Sequence, residues 1–334
     1  MGDEQYELQA AGLKMQQPTL TGIHHLTAIS SSIRRNHQFY TQVMGLRLVK
    51  RSVNQDDVSA YHLFYADGAG SPGTDITFFD WDVPPERRGT HSVVETGMRV
   101  NGMMSLEYWA SRFDELKVRH GGIVERDDRA TLTFEDGEGL RLSLVDDKGE
   151  GDPPVVWMKS TVPVEHQLRG LGPITISVPD LAPTDLVLTR AMGLRYARQY
   201  PHAANGEHIV HVYEMGDGGA HAELHVAVQP GLPVTRQGAG GVHHVAFRTP
   251  TFEQYNGWVE RLNELGLPNS GPVDRFWFRS LYFREPNGVL FEIATDGPGF
   301  AVDEPAETLG QEVVLPPFLE SRRASILAAL KPID

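Results

Sequence analysis

Cysteine is missing altogether from this chain of 334 residues. That excludes disulfide staples, thiolate-bound zinc and a cysteine nucleophile. No apolar run approaches the roughly 18–20 residues that a membrane-spanning helix needs. Residues 1–17 are polar, carry Asp3 and Glu4, and contain no apolar core, so we read no signal peptide there. Basic residues are in short supply, with 30 Lys and Arg against 44 Asp and Glu and a net charge of −14. A nucleic-acid partner would want a basic face, so that class is set aside. The length suits two ordinary domains.

What is present is a repeated motif. Gly-x-His-His occurs as Gly22-Ile23-His24-His25 and again as Gly241-Val242-His243-His244. A carboxylate, Glu292, sits on an apolar strand after the turn Pro286-Asn287-Gly288. Two imidazoles and one carboxylate are the donor set of a facial-triad non-haem Fe(II) site, which leaves three coordination positions open. That pattern points to an oxygen-using metalloenzyme. Absence of thiols suits a cytoplasmic setting with oxygen or quinones. Strict alternation along a strand puts Ile23, His25 and Thr27 on one face and His24 on the other, and likewise separates His244 from His243. Both faces are half apolar, so alternation does not choose the metal face. A solitary histidine on such a strand is more often a hydrogen-bonded core residue than a ligand. Recurrence at one repeat position weakens that plainer reading.

The motif belongs to an internal repeat. Openings near residues 22, 91, 171 and 241 mark four units of about one β-α-β-β-β module each. Met-Gly-Leu-Arg closes the helix of the first unit (Met44–Arg47) and of the third (Met192–Arg195). The second unit matches least well, with Ser105–His120 as its helix. An isolated module leaves a sheet edge open and an apolar face bare, so modules should pair. The expected fold is α+β, with four βαβββ modules paired into two curved-sheet domains. We place an N-terminal pair at 19–147, a Pro-containing linker at 148–169, a C-terminal pair at 170–300 and a tail at 301–334. Counting four residues on from the turn glycines, Glu292 matches Thr77, Ser143 and Glu223. His25 and His244 share their position, which holds Ile174 in the third unit and no histidine in the second. Units one and four should therefore build a metal cavity. Units two and three should form a second, metal-free cavity with a structural role, with Glu223 solvated or salt-bridged.

Several segments carry a family resemblance: His24-His25-Leu26-Thr27, Leu48–Asn54, Tyr61–Tyr65, Gly70–Thr74 and Asp274–Gly288. From about residue 19 to Leu315-Pro316-Pro317 the chain resembles the vicinal oxygen chelate superfamily, and within it the four-module hydroquinone-type ring-cleaving dioxygenases. The resemblance implies metal ligands His25, His244 and Glu292, and Fe(II) as cofactor with Mn(II) as the alternative. It implies a pocket lined by His24, Thr27, His243, Arg275 and Tyr282. His243 or His24 would handle protons, Tyr282 would hydrogen-bond the substrate, and Arg275 would meet a phenolate or product charge. Partners would be a small aromatic diol and O2, with a homo-oligomer compatible and neither nucleic acid nor membrane expected. Ordinary catechol cleavage is the nearest rival. A glyoxalase-like isomerase needs a fourth protein ligand where this chain has Thr77, and thiol transferases of this fold are short two-module chains.

Overall fold

The computed structural model describes residues 17–333, so the reading of the N-terminal segment as no signal peptide lies, but for Gln17, outside the described residues. Four modules follow one another. The first is β1 (Gly22–Ser30), α1 (Ile33–Gln38) prolonged by a π-helical turn Phe39–Val43, β2 (Arg47–Val53), β3 (Tyr61–Ala66) and β4 (Asp75–Asp80). The second is β5 (Ser92–Val100), α2 (Gly102–Leu116), β6 (His120–Arg126), β7 (Arg129–Glu135) and β8 (Arg141–Asp146). The third is β9 (Leu171–Val178), α3 (Leu181–Leu186) with a π-helical turn Val187–Ala191, β10 (Arg195–His202), β11 (Asn205–Glu214) and β12 (Glu223–Val228). The fourth is β13 (Val242–Thr249), α4 (Phe252–Glu264), β14 (Val273–Asp274), β15 (Arg279–Arg284) and β16 (Leu290–Thr295).

The repeated Met-Gly-Leu-Arg has a plain physical origin. Gly45 and Gly193 end their helices at φ +69° and +74°, where a side chain is strained. Met44, Leu46, Met192 and Leu194 on either side are buried plugs of the core. In module two the helix stops at Leu116, earlier than the expected His120, because Lys117 turns into the left-handed region at φ +57°. Leu106, Trp109 and Phe113 make its buried stripe at helical spacing.

Two eight-stranded sheets result, ordered β14-β15-β16-β13-β1-β4-β3-β2 and β10-β11-β12-β9-β5-β8-β7-β6. Modules one and four share the first sheet, and modules two and three share the second. Segments 19–147 and 170–300 thus each give one module to either sheet. At each sheet centre two opening strands pair antiparallel, β1 with β13 and β5 with β9. The segment between the halves is pinned by Arg99, buried on β5, which donates to Asp147 Oδ2, to the Glu150 carbonyl and to the Leu171 carbonyl, each at 3.0 Å.

Residues 301–333 run back along the first sheet and end in α5 (Arg323–Ala329). Val313 bridges to Arg51, and the Val314 carbonyl accepts from Ser52 Oγ at 2.7 Å. Lys50, fully buried on β2, donates to Asp303 at 2.7 Å, to the Phe300 carbonyl at 3.0 Å, and to Glu304. Asp303 also accepts from Trp277 Nε1 at 3.0 Å. One buried cation thereby fixes the chain's end against the first sheet. Removing one partner of a buried charge cluster strands the others. Lys50→Ala should therefore cost about 3 kcal/mol, read in urea as a lower midpoint with an unchanged slope.

Candidate metal centre

Strand pairing brings the two His-His motifs face to face. Between β1 and β13 the register runs Ile23↔Phe247, His25↔Ala246 and Thr27↔His244, Ala28↔Val242. His24 and His243 are each an extra residue without an opposite number: two β-bulges, one per strand. The bulges break the alternation that separated the members of each pair. Consecutive histidines instead touch through their rings, His24 Nδ1 to His25 Nδ1 at 2.9 Å and His243 Nδ1 to His244 Nδ1 at 2.7 Å.

Glu292 reaches the same spot because β16 runs parallel to β13 with Glu292 beside Ala246, the residue facing His25. His25 Nε2, His244 Nε2 and Glu292 Oε2 form a triangle with sides of 3.3, 3.2 and 2.9 Å. All three residues are buried. Neighbouring vertices of an octahedron with metal–ligand bonds of about 2.1 Å lie about 3.0 Å apart, so the triangle has the dimensions of one octahedral face. Glu292 Oε1 accepts from Ser280 Oγ at 2.5 Å, whereas Oε2 is buried with no hydrogen-bond partner. An orphan carboxylate oxygen between two imidazole nitrogens fits a cation.

The protonation pattern can be traced outward. The Thr295 carbonyl can only accept, so His24 Nε2, 3.0 Å away, carries the proton. Burial, aided by the neighbouring His25, pushes His24 down to about 3, so the ring is neutral and its Nδ1 is bare. His25 Nδ1 must then donate to it, which leaves Nε2 as the His25 nitrogen facing Glu292. This relay is the support that a metal-binding histidine needs to hold its tautomer and angle. His243 is likewise pushed down to about 3, by burial and then by His244. Burial opposes ionisation of Glu292, yet the adjoining His25 and His244 hold its carboxyl well below the usual range.

Placement of the expected pocket residues is mixed. Tyr282 lies directly across from Glu292 on the β15–β16 hairpin, with its ring 5.6 Å from that of His244. Burial, and then the Glu292 charge, raise its hydroxyl pKa, so it stays protonated. Arg275 stacks over the Tyr282 ring at 5.4 Å but spends its charge on Asp56 at 2.8 Å. His24 is a correction: both ring nitrogens are engaged, on His25 and on the Thr295 carbonyl, and it does not line the cavity beside His25 and His244. Thr27 is another: it is fully buried and bonded to Thr77 at 2.8 Å. His243 turns away from the triad's cavity toward Phe79 and Trp81 and borders a separate cleft.

The cavity at the triad measures about 30 Å³. Phe64, Phe79, Trp277 and Phe278 wall it, and His62, Tyr282 and Arg275 supply polar edges. Also in its lining, Asp56 pairs with Arg275 at 2.8 Å and Gln55 Nε2 donates to the Arg275 carbonyl at 2.9 Å. His62 was not singled out from the sequence. It is reached only through the register of β3, where its Nε2 meets Thr77 Oγ1 at 2.9 Å. Ser280, which bonds Glu292, is its counterpart in module four, so the repeat held the signal.

Register also revises the counting of equivalent positions. In the second sheet β12 pairs with β9 as His225↔Thr175, matching Glu292↔Ala246. A short helical turn, Ala220–Ala222, pushes Glu223 out of step. The counterpart of Glu292 is thus His225, that of His244 is Pro173, and that of His25 is Glu95. Asp127, Glu223 and His225 do lie close together. Arg129 grips Glu223 with two bonds of 2.7 and 2.8 Å, and Arg198 bridges Glu223 and Asp127. Those guanidinium groups supply the positive charge that an ion would bring.

A curved sheet of two βαβββ modules with two histidines and a carboxylate converging at its centre defines a class of metal-site protein. Residues 22–144 and 170–293 match the Glyoxalase/Bleomycin resistance protein/Dioxygenase superfamily, and the chain belongs to it. Over 317 residues, 94% of this chain and 99% of the relative, it is 47% identical to MhqA of Bacillus subtilis (strain 168), which is named as a ring-cleaving dioxygenase. It is 30% identical to the chlorohydroquinone/hydroquinone 1,2-dioxygenase of Sphingobium indicum, covering 95% and 98% of the two chains. A crystal structure of a dioxygenase from Bacillus subtilis superposes with a TM-score of 0.85 at 32% identity, over 95% of this chain and 98% of that one. Within the superfamily the chain belongs with the ring-cleaving dioxygenases. Among the described residues no helix is long and apolar enough to cross a membrane.

The triangle and its support make separable predictions. His25→Ala or Glu292→Ala should abolish stoichiometric divalent-metal binding by elemental analysis, with the circular dichroism of the fold retained. His24→Phe removes only the support, and should weaken metal affinity by about 10–100-fold without abolishing it.

Proposed function

We propose that this chain opens a hydroquinone ring with O2, using Fe(II) held by His25, His244 and Glu292. The observation that carries the reading is the buried triangle of bare donor atoms at the foot of an aromatic-walled cavity. The relative that acts on chlorohydroquinone and hydroquinone supports the para-diol. When bound, a ferrous ion would supply the place where a phenolic oxygen and O2 exchange electrons, a transfer that ground-state O2 otherwise accepts poorly.

The chain's own residues do the rest. Phe64, Phe79, Trp277 and Phe278 exclude water and press on the faces of a flat ring. Tyr282, kept as a phenol, donates a hydrogen bond toward the oxygen atoms brought in beside Glu292. A volume of about 30 Å³ admits about one water. An aromatic diol therefore enters only when the segment around Gln55 and Asp56 parts from Arg275. That movement also frees the Arg275 guanidinium from Asp56, so it can hold a phenolate or the carboxylate formed on ring opening. His62 stays neutral and accepts or returns a proton at the ring nitrogen not bonded to Thr77.

Anaerobic loading with Fe(II), followed by an O2 electrode, tests the reading. Hydroquinone should consume one O2 per ring opened, and label from O2 should appear in the acyclic product. Uptake with catechols alone would replace the para-diol by ordinary extradiol cleavage, and no uptake with either would end the dioxygenase reading. Tyr282→Phe should lower kcat by about 10-fold or more with metal content unchanged.

His62 carries a stability prediction as well. Burial drives it well below its ordinary 6.5. The unfolded chain thus takes up this proton at higher pH than the folded one. Stability owed to neutral His62 is complete above pH 6.5 and declines as pH falls below it. The thermal midpoint of the metal-free protein should drop between pH 7 and 5, and His62→Gln should flatten part of that drop.

A further inference from the structure

The second sheet encloses a cavity of about 610 Å³, far roomier than the one at the triad. Such a volume is typical of small-molecule sites. The counterpart of His25 there, Glu95, is clasped by Arg126 through two hydrogen bonds, one of 3.0 Å. Those two charges cancel. Deeper in the chemistry of the walls lies an imbalance. Four arginines (88, 119, 126 and 141) line the cavity against two carboxylates, Glu95 and Glu135, in a chain whose net charge is −14.

Arg88 and Arg119 share Glu135, at 2.8 and 3.3 Å. Arg141 is the least compensated of the four. Its closest carboxylate is Glu86 at 3.7 Å, beyond hydrogen-bond reach, although the side chain is only 28% exposed. Burial lowers its pKa, which is the mark of a cation lacking a close partner. Val94, Phe134, Leu142, Val210 and Leu232 give the same cavity apolar lining. A guanidinium fork with open donors beside an apolar wall matches a carboxylate carried on a flat hydrocarbon body. A bare inorganic anion would leave that wall unused.

We propose that this cavity binds a small organic carboxylate with a planar apolar body, its carboxylate on Arg141. The proposal rests on the cavity alone and is independent of the reaction assigned to the other sheet. Titration calorimetry on the metal-loaded chain tests it, with benzoate as the probe, benzyl alcohol as the neutral counterpart and inorganic phosphate as the bare anion. Benzoate should bind once per chain and at least 10-fold more tightly than either control. Arg141→Gln should weaken it at least 10-fold, Arg141→Lys should restore part of the affinity, and Leu232→Trp should block the cavity. O2 uptake on hydroquinone should be the same in wild type and all three variants. Benzoate binding that survives both Arg141→Gln and Leu232→Trp would overturn the proposal. So would equal affinity for benzyl alcohol, or for phosphate.

Discussion

The antiparallel pairing of β1 with β13, interrupted by one bulge in each strand, is the constraint on which the centre depends. Without the bulges His24 and His25 would point to opposite faces, and no ring of one pair could steady the other. With them, the two rings of each pair meet through their Nδ1 atoms. The same pairing joins the first module to the fourth, so the two His-His motifs meet from distant parts of the sequence. Register then does the remaining positioning. The parallel neighbour β16 brings Glu292 to the row of His25, and β15 brings Tyr282 to the row of Glu292.

The second sheet shows what the scaffold does without that donor set. It repeats the bulged central pairing, with Val94 as the extra residue between Val93 and Glu95. Glu95 stands where His25 would be, and a guanidinium meets it. Proline at the counterpart of His244 removes a second donor. The two halves therefore fill the same geometry with different side chains. In the first, bare nitrogen and oxygen atoms face one another. In the second, Arg126, Arg129 and Arg198 are already in place.

Much of this was legible in the sequence because it was repeated. Duplicate Gly-x-His-His, duplicate Met-Gly-Leu-Arg and four spaced openings imply four modules, and comparing equivalent positions isolates His25, His244 and Glu292. What was not legible depends on register. A bulge is a one-residue slip with no composition of its own, so alternation wrongly set His24 and His243 apart from their neighbouring histidines. Counting from Gly219 misplaced Glu223 because Ala220–Ala222 insert a helical turn. His62 becomes visible only when β3 is laid beside β4. Nothing in the sequence marks Lys50 as the buried anchor for residues 300–304, far along the chain.

Charge balance at the centre explains why the walls are apolar. As metal donors the two imidazoles must be neutral and Glu292 ionised, so the donor set would carry one negative charge. A divalent cation there would reverse the sign and leave one positive charge in a water-poor site, where an unbalanced charge is costly. The surroundings supply little to offset it, since Arg275 and Asp56 cancel each other and Tyr282 stays protonated. One phenolate would restore neutrality, whereas a neutral ring would not and a dianion would overshoot. The aromatic walls strengthen this discrimination, because the fewer polar groups surround the centre, the more its own charge governs which ligand is held.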